Sequence, residues 1–532
     1  MRKTTIWMAE DITLLSAAAY ADPYREAGIS GTFVSPTGKT MILDGFWDGD
    51  NRFTVRFAPN EPGLWSYTVA MADGSAHEEG QLLAEEYTGD NPLYAHGFLK
   101  AVPGKRYLEH DDGTPFFWLG DTHWLGLGGR ERFYESNSPL FKTMFHGMAD
   151  VRKMEEFTVY QMNFFVTARG DCDGTGTSNE GGKLWLDKPF GTMNPGFFRN
   201  ADQRIGYLCS IGITPCLGMD WGPGIKSETL EEFKRITSYI IARYSAFPVV
   251  WFVCGEYAGN SEYLLWDQIG DLFEEKDAYA HVTTIHGNGE NFIDDPEQNP
   301  HNADLFREKK WYDFVMLQTG HLPTLPKRNN WRYYYDKTPV KPVLEAENAY
   351  EGIWEVREPL TREQAYVAIM HGSFGVTYGA EGVWDATWDN NDRHQVVPPW
   401  WPIPWYDAIL LPQARQLTTL KHAMESVHWW NLEPCEDIRL SNPLNSMRDV
   451  AAKADAAKDE ILVYYPNKEK GYDTAVTLTA MPEKAVYGVT WVNPETGAFV
   501  PGENVAVQDN GEMPLPPCSS CGRDRLLILR KL

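Results

Sequence analysis

Eight short apolar runs, separated by segments of helical spacing, fill the middle of this 532-residue chain and restrict the folds available to it. Buried strands that alternate with amphipathic helices are typical of a parallel sheet, and eight such units predict a closed (β/α)8 TIM barrel. A doubly wound sheet is the alternative, but no Gly-rich dinucleotide fingerprint follows the first run. The eight runs are residues 116–120, 160–167, 213–219, 249–254, 281–285, 314–317, 342–344 and 376–378.

The segments between these runs carry helix-start signals as well as helical spacing. Thr229 and Glu232 have the spacing of a capping box, and residues 230–244 carry an apolar stripe at helical period. Thr361 and Gln364 have the same spacing at the start of a later segment. We therefore predict that a helix begins at each pair.

Patterns typical of β-structure flank the barrel region on both sides. Residues 1–95 are short alternating runs separated by turn signals such as SPTGK and PNEPG, which predict a β-sandwich. Residues 425–532 return to this pattern in runs such as ILVYYP and TAVTLTA. The predicted fold class is α/β, with an N-terminal β-sandwich at 1–95, a catalytic barrel at 96–424 and a small C-terminal β-sandwich at 425–532.

Charge and hydropathy limit the partners that the chain can bind. The formal net charge of −26 repels nucleic acid phosphates and anionic membrane surfaces, so we expect neither as a partner. No apolar stretch approaches the ~18 residues of a transmembrane helix. The N-terminus lacks the apolar core of a signal peptide, so we expect a cytoplasmic protein. The sequence leaves open whether the chain forms a homo-oligomer.

Aromatic residues make up 13% of the chain, including 20 Trp. Sugar rings present flat C–H faces that stack on aromatic rings, so this enrichment suits carbohydrate binding. Core packing explains most of these residues equally well. The enrichment therefore favours a carbohydrate ligand only in combination with other signals.

Two glutamate-bearing strand ends carry the strongest catalytic signal, because barrel sites form at the carboxyl ends of the strands. The fourth run ends in Gly255 and Glu256, and the seventh ends in Glu345 and Glu347. Strands four and seven face each other across a barrel mouth. Glycosidic cleavage needs one carboxyl to protonate the leaving oxygen and another to attack or to activate water. A buried, ion-paired role is the alternative for Glu256, and we favour Glu347 over Glu345 as its partner.

The other predicted strand ends are also polar, and we expect them to bind sugar hydroxyl groups. Asp121 can clamp a sugar diol, and Arg169 can keep the attacking carboxylate ionised by charge pairing. The Trp- and Pro-rich residues 384–405 form either a sugar-stacking wall or a cover packed on the barrel. The predicted substrate-binding residues are Asp121, His123, Trp124, Arg169, Asp220, Trp221, His286, Gln318, His321, Glu345, Glu381 and Trp384.

Other chemistries have weaker support in the sequence. A metal-dependent hydrolase barrel needs an early His-x-His pair and a serine esterase needs a Gly-x-Ser-x-Gly elbow, and the sequence has neither. Cys518 and Cys521 form a CxxC without a second ligand pair, so we interpret it as a surface turn rather than a zinc site. We therefore expect no metal ion and no organic cofactor.

Three motifs, at residues 117–124, 250–256 and 341–347, resemble the apiosidase-like barrel glycoside hydrolases. Residues 45–50, 56–59 and 62–65 resemble the β-sandwich often fused before such barrels. The resemblance implies a retaining mechanism with Glu256 as acid/base and Glu347 as nucleophile. Members of the family often carry Asp where this chain has Glu256, so apiose specificity does not transfer with the motif.

The resulting hypothesis is a retaining glycosidase, exo-acting on plant-derived oligosaccharides of pectic or furanosidic type. A non-catalytic carbohydrate-binding protein on the same barrel is the first alternative. A barrel hydrolase acting on a non-glycosidic bond is the second. Replacing Glu256 and Glu347 separately by Gln discriminates the first alternative, since an enzyme then loses turnover but still binds sugar.

Overall fold

A computed structural model of the chain describes residues 1–165, 178–222, 224–259, 261–290, 303–326, 329–354, 356–392, 402–467, 474–518 and 523–532. The predicted site residue Arg169 lies outside these ranges, as do Cys521 and residues 393–401 of the Trp-rich segment. Within them, the chain forms an N-terminal pair of sheets, a central barrel and a C-terminal pair of sheets.

The N-terminal sheets form the predicted β-sandwich. The larger sheet has the order β1-β8-β7-β3-β4 and the smaller has β2-β6-β5. Along β7, every second residue from Trp65 to Met71 is buried, which is the alternation of a strand with one face in a core. The elements are β1 (Arg2–Thr5), β2 (Glu10–Leu15), α1 (Pro23–Glu26), β3 (Ile29–Val34), β4 (Thr40–Asp44), β5 (Phe46–Trp47), β6 (Arg52–Phe57), β7 (Gly63–Met71), β8 (His77–Glu85) and α2 (Pro92–Ala95).

A small antiparallel sheet leads into the barrel and covers the amino end of its first strand. The elements from here to the end of the barrel are β9 (Leu99–Ala101), β10 (Leu108–His110), β11 (Pro115–Phe116), β12 (Trp118–Thr122), α3 (Met144–Met154), β13 (Val159–Asn163), β14 (Ser178–Asn179), β15 (Gly182–Lys183), α4 (Pro195–Ser210), β16 (Thr214–Gly218), α5 (Leu230–Tyr244), β17 (Val250–Phe252), α6 (Trp266–Lys276), β18 (Thr283–Thr284), β19 (Val315–Leu317), α7 (Asn330–Tyr335), β20 (Val343–Glu345), α8 (Leu360–Met370), β21 (Ser373–Tyr378), α9 (Trp405–Ala408) and α10 (Pro412–Glu425).

Eight parallel strands form the predicted barrel in chain order: β12, β13, β16, β17, β18, β19, β20 and β21. The last strand pairs back with the first, and His286 with Met316 forms a parallel bridge between the ends of β18 and β19. Every residue of β12, β13 and β16 is buried, as expected for strands covered by helices outside and side chains inside. Each predicted apolar run overlaps one of these strands.

The two predicted helix starts lie in the correct places, but neither makes the predicted capping-box contacts. Helix α5 begins after Thr229, whose Oγ1 accepts instead from the backbone N–H of Lys226 at 3.0 Å. Glu232 forms an ion pair with Arg25 of the N-terminal sandwich at 3.3 Å. Helix α8 begins at Leu360, so Thr361 lies inside it. Thr229 thus bonds the turn that precedes its helix, and Glu232 is used in a contact with another domain.

The C-terminal sheets have the orders β22-β24-β25-β31-β27-β28, with β29 also on β27, and β23-β26-β30. Among the described residues, every helix of the chain is too short or too polar to span a lipid bilayer. The C-terminal strands are β22 (Glu433–Cys435), β23 (Ile438–Leu440), β24 (Ala451–Ala454), β25 (Glu460–Tyr465), β26 (Val476–Leu478), β27 (Val486–Asn493), β28 (Ala498–Pro501), β29 (Val505–Ala506), β30 (Met513–Pro514) and β31 (Arg525–Lys531).

Buried ion pairs join the barrel to both flanking units. Arg243 of α5 binds Asp48 of the N-terminal sandwich at 3.0 Å. Arg362 of α8 binds Asp524, just before β31, at 2.7 Å, and both side chains are almost fully buried. Breaking one partner of such a pair leaves an uncompensated buried charge. These contacts fix the flanking sheets against the helices of the barrel wall.

Candidate active site

The two predicted catalytic glutamates lie at the same end of the barrel and share a hydrogen-bond donor. Glu256 follows β17 and Glu347 follows β20. Gln318, which follows β19, donates from Nε2 to Glu347 Oε1 at 2.9 Å and to Glu256 Oε1 at 3.3 Å. Because both bonds start at one nitrogen atom, the two oxygens are at most 6.2 Å apart, the sum of the bond lengths.

Two histidines aim a ring nitrogen at the Glu347 carboxylate. His321 Nε2 lies 2.9 Å from Oε1, and His286 Nε2 lies 3.3 Å from Oε2. The other ring nitrogen, Nδ1, faces a backbone carbonyl in both cases: that of Asn348 for His321 and that of Gly287 for His286. A carbonyl only accepts, so each Nδ1 carries its proton. The two rings thus connect the Glu347 carboxylate to the backbone of the neighbouring loops.

The surroundings of Glu347 lower the pKa of its carboxyl group. Burial by itself raises the pKa of this carboxyl, which is only 2% exposed, but hydrogen bonds and charge from His286 and His321 outweigh burial. The net result is a pKa well below the ordinary range for Glu. Glu347 is therefore an ionised carboxylate at neutral pH.

The loop that carries Glu347 is held by the start of α8. Thr361 Oγ1 donates to the carbonyl of Ala349 at 2.9 Å, and Gln364 Oε1 accepts from the Ala349 N–H at 2.9 Å. Asn348 Nδ2 donates to the Thr361 carbonyl at 3.3 Å. The two side chains predicted to cap the helix thus position the residues directly after Glu347.

Glu256 lies at a strained turn beside an aromatic side chain. Its φ is +44°, a left-handed conformation that costs a non-glycine residue ~1–3 kcal/mol and often marks functional sites. Its Oε2 accepts from Trp221 Nε1 at 3.2 Å. Trp221 packs directly on Gly255, where an added Cβ would lie 1.9 Å from the indole ring. The glycine before Glu256 therefore makes room for the ring that orients the carboxylate.

Aromatic rings form one wall around these carboxylates. The Trp124 and Trp221 ring centres are 4.2 Å apart, and His286 packs against both. Trp124 Nε1 donates to the Tyr350 hydroxyl at 3.1 Å, and the Tyr350 ring lies 4.2 Å from that of His321. The structure thus brings Trp124, Trp221, His286, Gln318 and His321 together with both glutamates.

Tyr350 and Asn163 are site residues that the sequence analysis missed. Tyr350 lies three residues beyond Glu347, so reading further past the seventh strand would have found it. Asn163 ends β13, and both polar atoms of its buried side chain lack a hydrogen-bond partner. Its position at a strand end could have identified it. The sequence analysis instead placed it inside an apolar run that was predicted to continue to residue 167.

Asp121 and His123 face the outside of the barrel rather than its mouth. Asp121 Oδ2 accepts from Arg152 of α3 at 2.5 Å and lies 2.9 Å from His123 Nε2. His123 Nδ1 lies 3.2 Å from Glu131, and its ring stacks on Tyr160 at 3.6 Å. All these side chains are fully buried. This network ties the first strand to α3, which disfavours the sugar contacts predicted for both residues.

Glu345 and Asp220 are also buried away from the shared donor. Glu345 accepts from Trp331 Nε1 of α7 at 2.6 Å and from the Thr319 N–H at 3.3 Å. Burial raises its pKa to about 8 against these hydrogen bonds, so its carboxyl is protonated at neutral pH. Asp220 accepts from the Trp221 N–H at 2.8 Å and is fully buried. Their contacts point to roles in supporting the rim.

Glu381 and Trp384 lie at the eighth strand end, beside the aromatic wall. Trp384 Nε1 donates to Glu381 at 3.2 Å, and its ring centre is 6.2 Å from that of Tyr350. Burial and the neighbouring Asp385 raise the pKa of Glu381 to about 7. This pair therefore continues the wall that begins at Trp221, on the side of the mouth next to Glu347.

The sequence-family model of the apiosidase-like catalytic domain matches residues 102–431, which is more than half of the chain. The chain belongs to the apiosidase-like family. A model of a domain of unknown function, DUF5060, matches residues 3–72 of the N-terminal sandwich. No curated protein matches the chain. As an apiosidase-like protein with both glutamates at the barrel mouth, the chain is a glycosidase.

Solved structures share the apiosidase-like fold at low sequence identity. A Bacteroides vulgatus protein, provisionally classed as a glycoside hydrolase, matches with a TM-score of 0.70 at 17% identity, over 100% of both chains. A family 5 glycoside hydrolase from the same organism matches with a TM-score of 0.63 at 20% identity, over 84% of this chain and 95% of that one. A third structure, a glycoside hydrolase, matches with a TM-score of 0.64 at 21% identity, over 83% of this chain and 98% of that one.

The close packing of Trp221 on Gly255 predicts the effect of a single added methyl group. We expect Gly255→Ala to displace Trp221 and to lower the free energy of unfolding by about 1 to 3 kcal/mol, as overpacking does. Gly206→Ala, in α4 where no atom lies within 4 Å of the added Cβ, is the matched control. It should stabilise the helix by roughly 0.5–1 kcal/mol. Chemical denaturation measures both, and equal stabilities would contradict this packing.

Proposed function

We propose that the chain is a retaining glycosidase in which Glu347 is the nucleophile and Glu256 the acid/base. The observation that carries this proposal is the Gln318 amide, which bonds both carboxylates and keeps their two Oε1 atoms at most 6.2 Å apart. Retaining enzymes separate their carboxyl groups by ~5–5.5 Å, whereas inverting enzymes need ~6.5–9.5 Å to admit a water between them. The shorter spacing favours direct attack.

The different surroundings of the two glutamates favour this division of roles. A nucleophile must be ionised, and the two histidines keep Glu347 in that form despite its burial. A carboxyl whose pKa is so low is a poor proton donor, so Glu347 does not suit the acid role. Glu256 is less buried than Glu347 and accepts hydrogen bonds from the neutral donors Trp221 and Gln318, which is the less charged setting of the two and favours it for the acid/base role.

The proposed reaction has two displacements. Glu347 attacks the anomeric carbon while Glu256 gives its proton to the leaving oxygen, which forms a glycosyl ester on Glu347 and releases the alcohol. Glu256, now a carboxylate, takes a proton from water, and the oxygen of that water attacks the anomeric carbon and releases Glu347. The Gln318 amide can donate a hydrogen bond to whichever carboxylate is negatively charged at each step, because its Nε2 contacts both.

We further propose exo-action on plant-derived oligosaccharides, of pectic or furanosidic type. The family relationship supports this substrate class, and the wall of Trp124, Trp221 and Trp384 supports a sugar stacked at the barrel mouth. The net charge of −26 disfavours a long acidic polymer. A screen of aryl glycosides and pectin-derived oligosaccharides identifies the sugar.

Separate replacement of the glutamates tests the catalytic roles. With a substrate from that screen, we expect Glu347→Gln and Glu256→Gln each to lower kcat by at least about 100-fold while sugar binding persists. An activated aryl glycoside should restore the first step for Glu256→Gln only, because its leaving group needs no proton.

Glu345→Gln is the matched control for these variants. It changes a protonated carboxyl two residues from the proposed nucleophile into an amide of the same shape, and it should retain turnover. Loss of activity in Glu345→Gln together with full activity in Glu347→Gln would contradict the assignment. Unchanged turnover in all three variants would favour a site elsewhere.

The histidine contacts predict how activity depends on pH. Removing the His321 ring by His321→Ala should raise the pKa of Glu347, because one of the contacts that oppose the effect of burial is lost. As the pH falls, Glu347 of the variant becomes protonated at a higher pH than Glu347 of the unmodified chain. The acidic limb of the pH profile of kcat/KM should therefore move upward by about one pH unit. His422→Ala removes a half-exposed histidine of α10 that pairs with Glu156, and should leave the limb in place. A limb that does not move in His321→Ala would show that His321 does not tune the nucleophile.

A further inference from the structure

A buried lysine lies at the opposite end of the barrel without a partner. Lys453, the third residue of β24, is 5% exposed. Its ammonium group makes no hydrogen bond or ion pair with any residue that the structure describes. Burial lowers its pKa to about 8, and the nearby Glu433 only partly opposes this effect. An unpaired buried ammonium group is costly, so its retention calls for an explanation.

The lysine lines a cavity of about 200 Å³ between the barrel and the C-terminal sheets. Gly372, Ser373 and Phe374 line the same cavity, and Ser373 is the first residue of β21. The cavity is therefore at the amino ends of the strands, at the opposite end of the barrel from Glu256 and Glu347. It cannot be part of the catalytic site.

The cavity is positively charged within a strongly acidic protein. The cavity is lined by three cationic side chains, those of Lys105, Arg106 and Lys453, and by the anionic side chain of Glu433. Lys105 is already paired with Glu109, which leaves Arg106 and Lys453 against Glu433. The chain as a whole carries a formal charge of −26, so a local excess of positive charge is not the default for its surface. Such a site favours an anionic ligand.

Aromatic rings and a second unsatisfied polar atom complete the lining. Tyr107, Trp429 and Trp430 supply the apolar surface, and the ring centres of Tyr107 and Trp429 are 5.7 Å apart. The hydroxyl of Tyr335 is buried and has no hydrogen-bond partner. Arg106 lies over the Tyr335 ring, 3.7 Å from its centre, which fixes both side chains. The cavity thus combines cations, a free hydroxyl and faces on which a ring can stack.

We propose that the Lys453 cavity binds a sugar acid of one ring, its carboxylate on Lys453 and Arg106 and its C–H face on the aromatic lining. The volume suits a single sugar ring and excludes an oligosaccharide. The Tyr335 hydroxyl is free to bond a ring oxygen or hydroxyl group. This site is separate from the proposed hydrolytic site, and neither depends on the other.

Isothermal titration calorimetry on the full chain with galacturonate tests the proposal. We expect one binding site for galacturonate. Galactose lacks the carboxylate and inorganic phosphate lacks the sugar ring, so each should bind at least about tenfold more weakly. Absence of galacturonate binding, or equal binding of galactose or phosphate, would overturn the proposal.

Two variants assign the binding to the cavity. Lys453→Met should weaken galacturonate binding by about tenfold or more, and should unfold at the same or a higher temperature because it removes an unpaired buried charge. Tyr335→Phe removes a single oxygen atom and provides a second variant with minimal risk to folding; it should weaken binding several-fold. Galacturonate binding that survives both variants would overturn the assignment.

Discussion

A single buried negative charge, that of Glu347, organises the barrel mouth. A carboxylate that is 2% exposed is unstable unless cations and donors surround it, and His321, His286 and Gln318 all supply such contacts. These three side chains come from the ends of the fifth and sixth strands. The geometry of two other strand ends is therefore set by the need to keep the carboxylate of the seventh ionised.

The (β/α)8 architecture makes this arrangement accessible from distant parts of the chain. Parallel strands present their carboxyl ends at one face, so Glu256 and Glu347, 91 positions apart in the sequence, contact one amide group. The flanking sheets bind the barrel wall through buried ion pairs such as Arg362 with Asp524. The loops at the mouth carry the Trp221 wall and the strained turn at Glu256.

The sequence predicts the strands and the two glutamates because apolar runs and the polar residues after them are local signals. It does not predict the direction of each side chain at a strand end. Asp121 turns toward Arg152 of α3, and Glu345 turns toward Trp331 of α7. Both choices depend on partners that become neighbours only on folding. The position of Tyr350 after the seventh strand was a local signal, but its contacts with Trp124 and His321 are tertiary.

The stereochemistry of hydrolysis tests the central claim most directly, because it reports whether Glu347 attacks the sugar itself. Proton NMR during the first turnovers of an aryl glycoside identifies the anomer that is released before mutarotation. A first-formed sugar with the configuration of the substrate is the result that two displacements through Glu347 predict. A first-formed sugar of inverted configuration would contradict the covalent role of Glu347 and the spacing argument on which it rests.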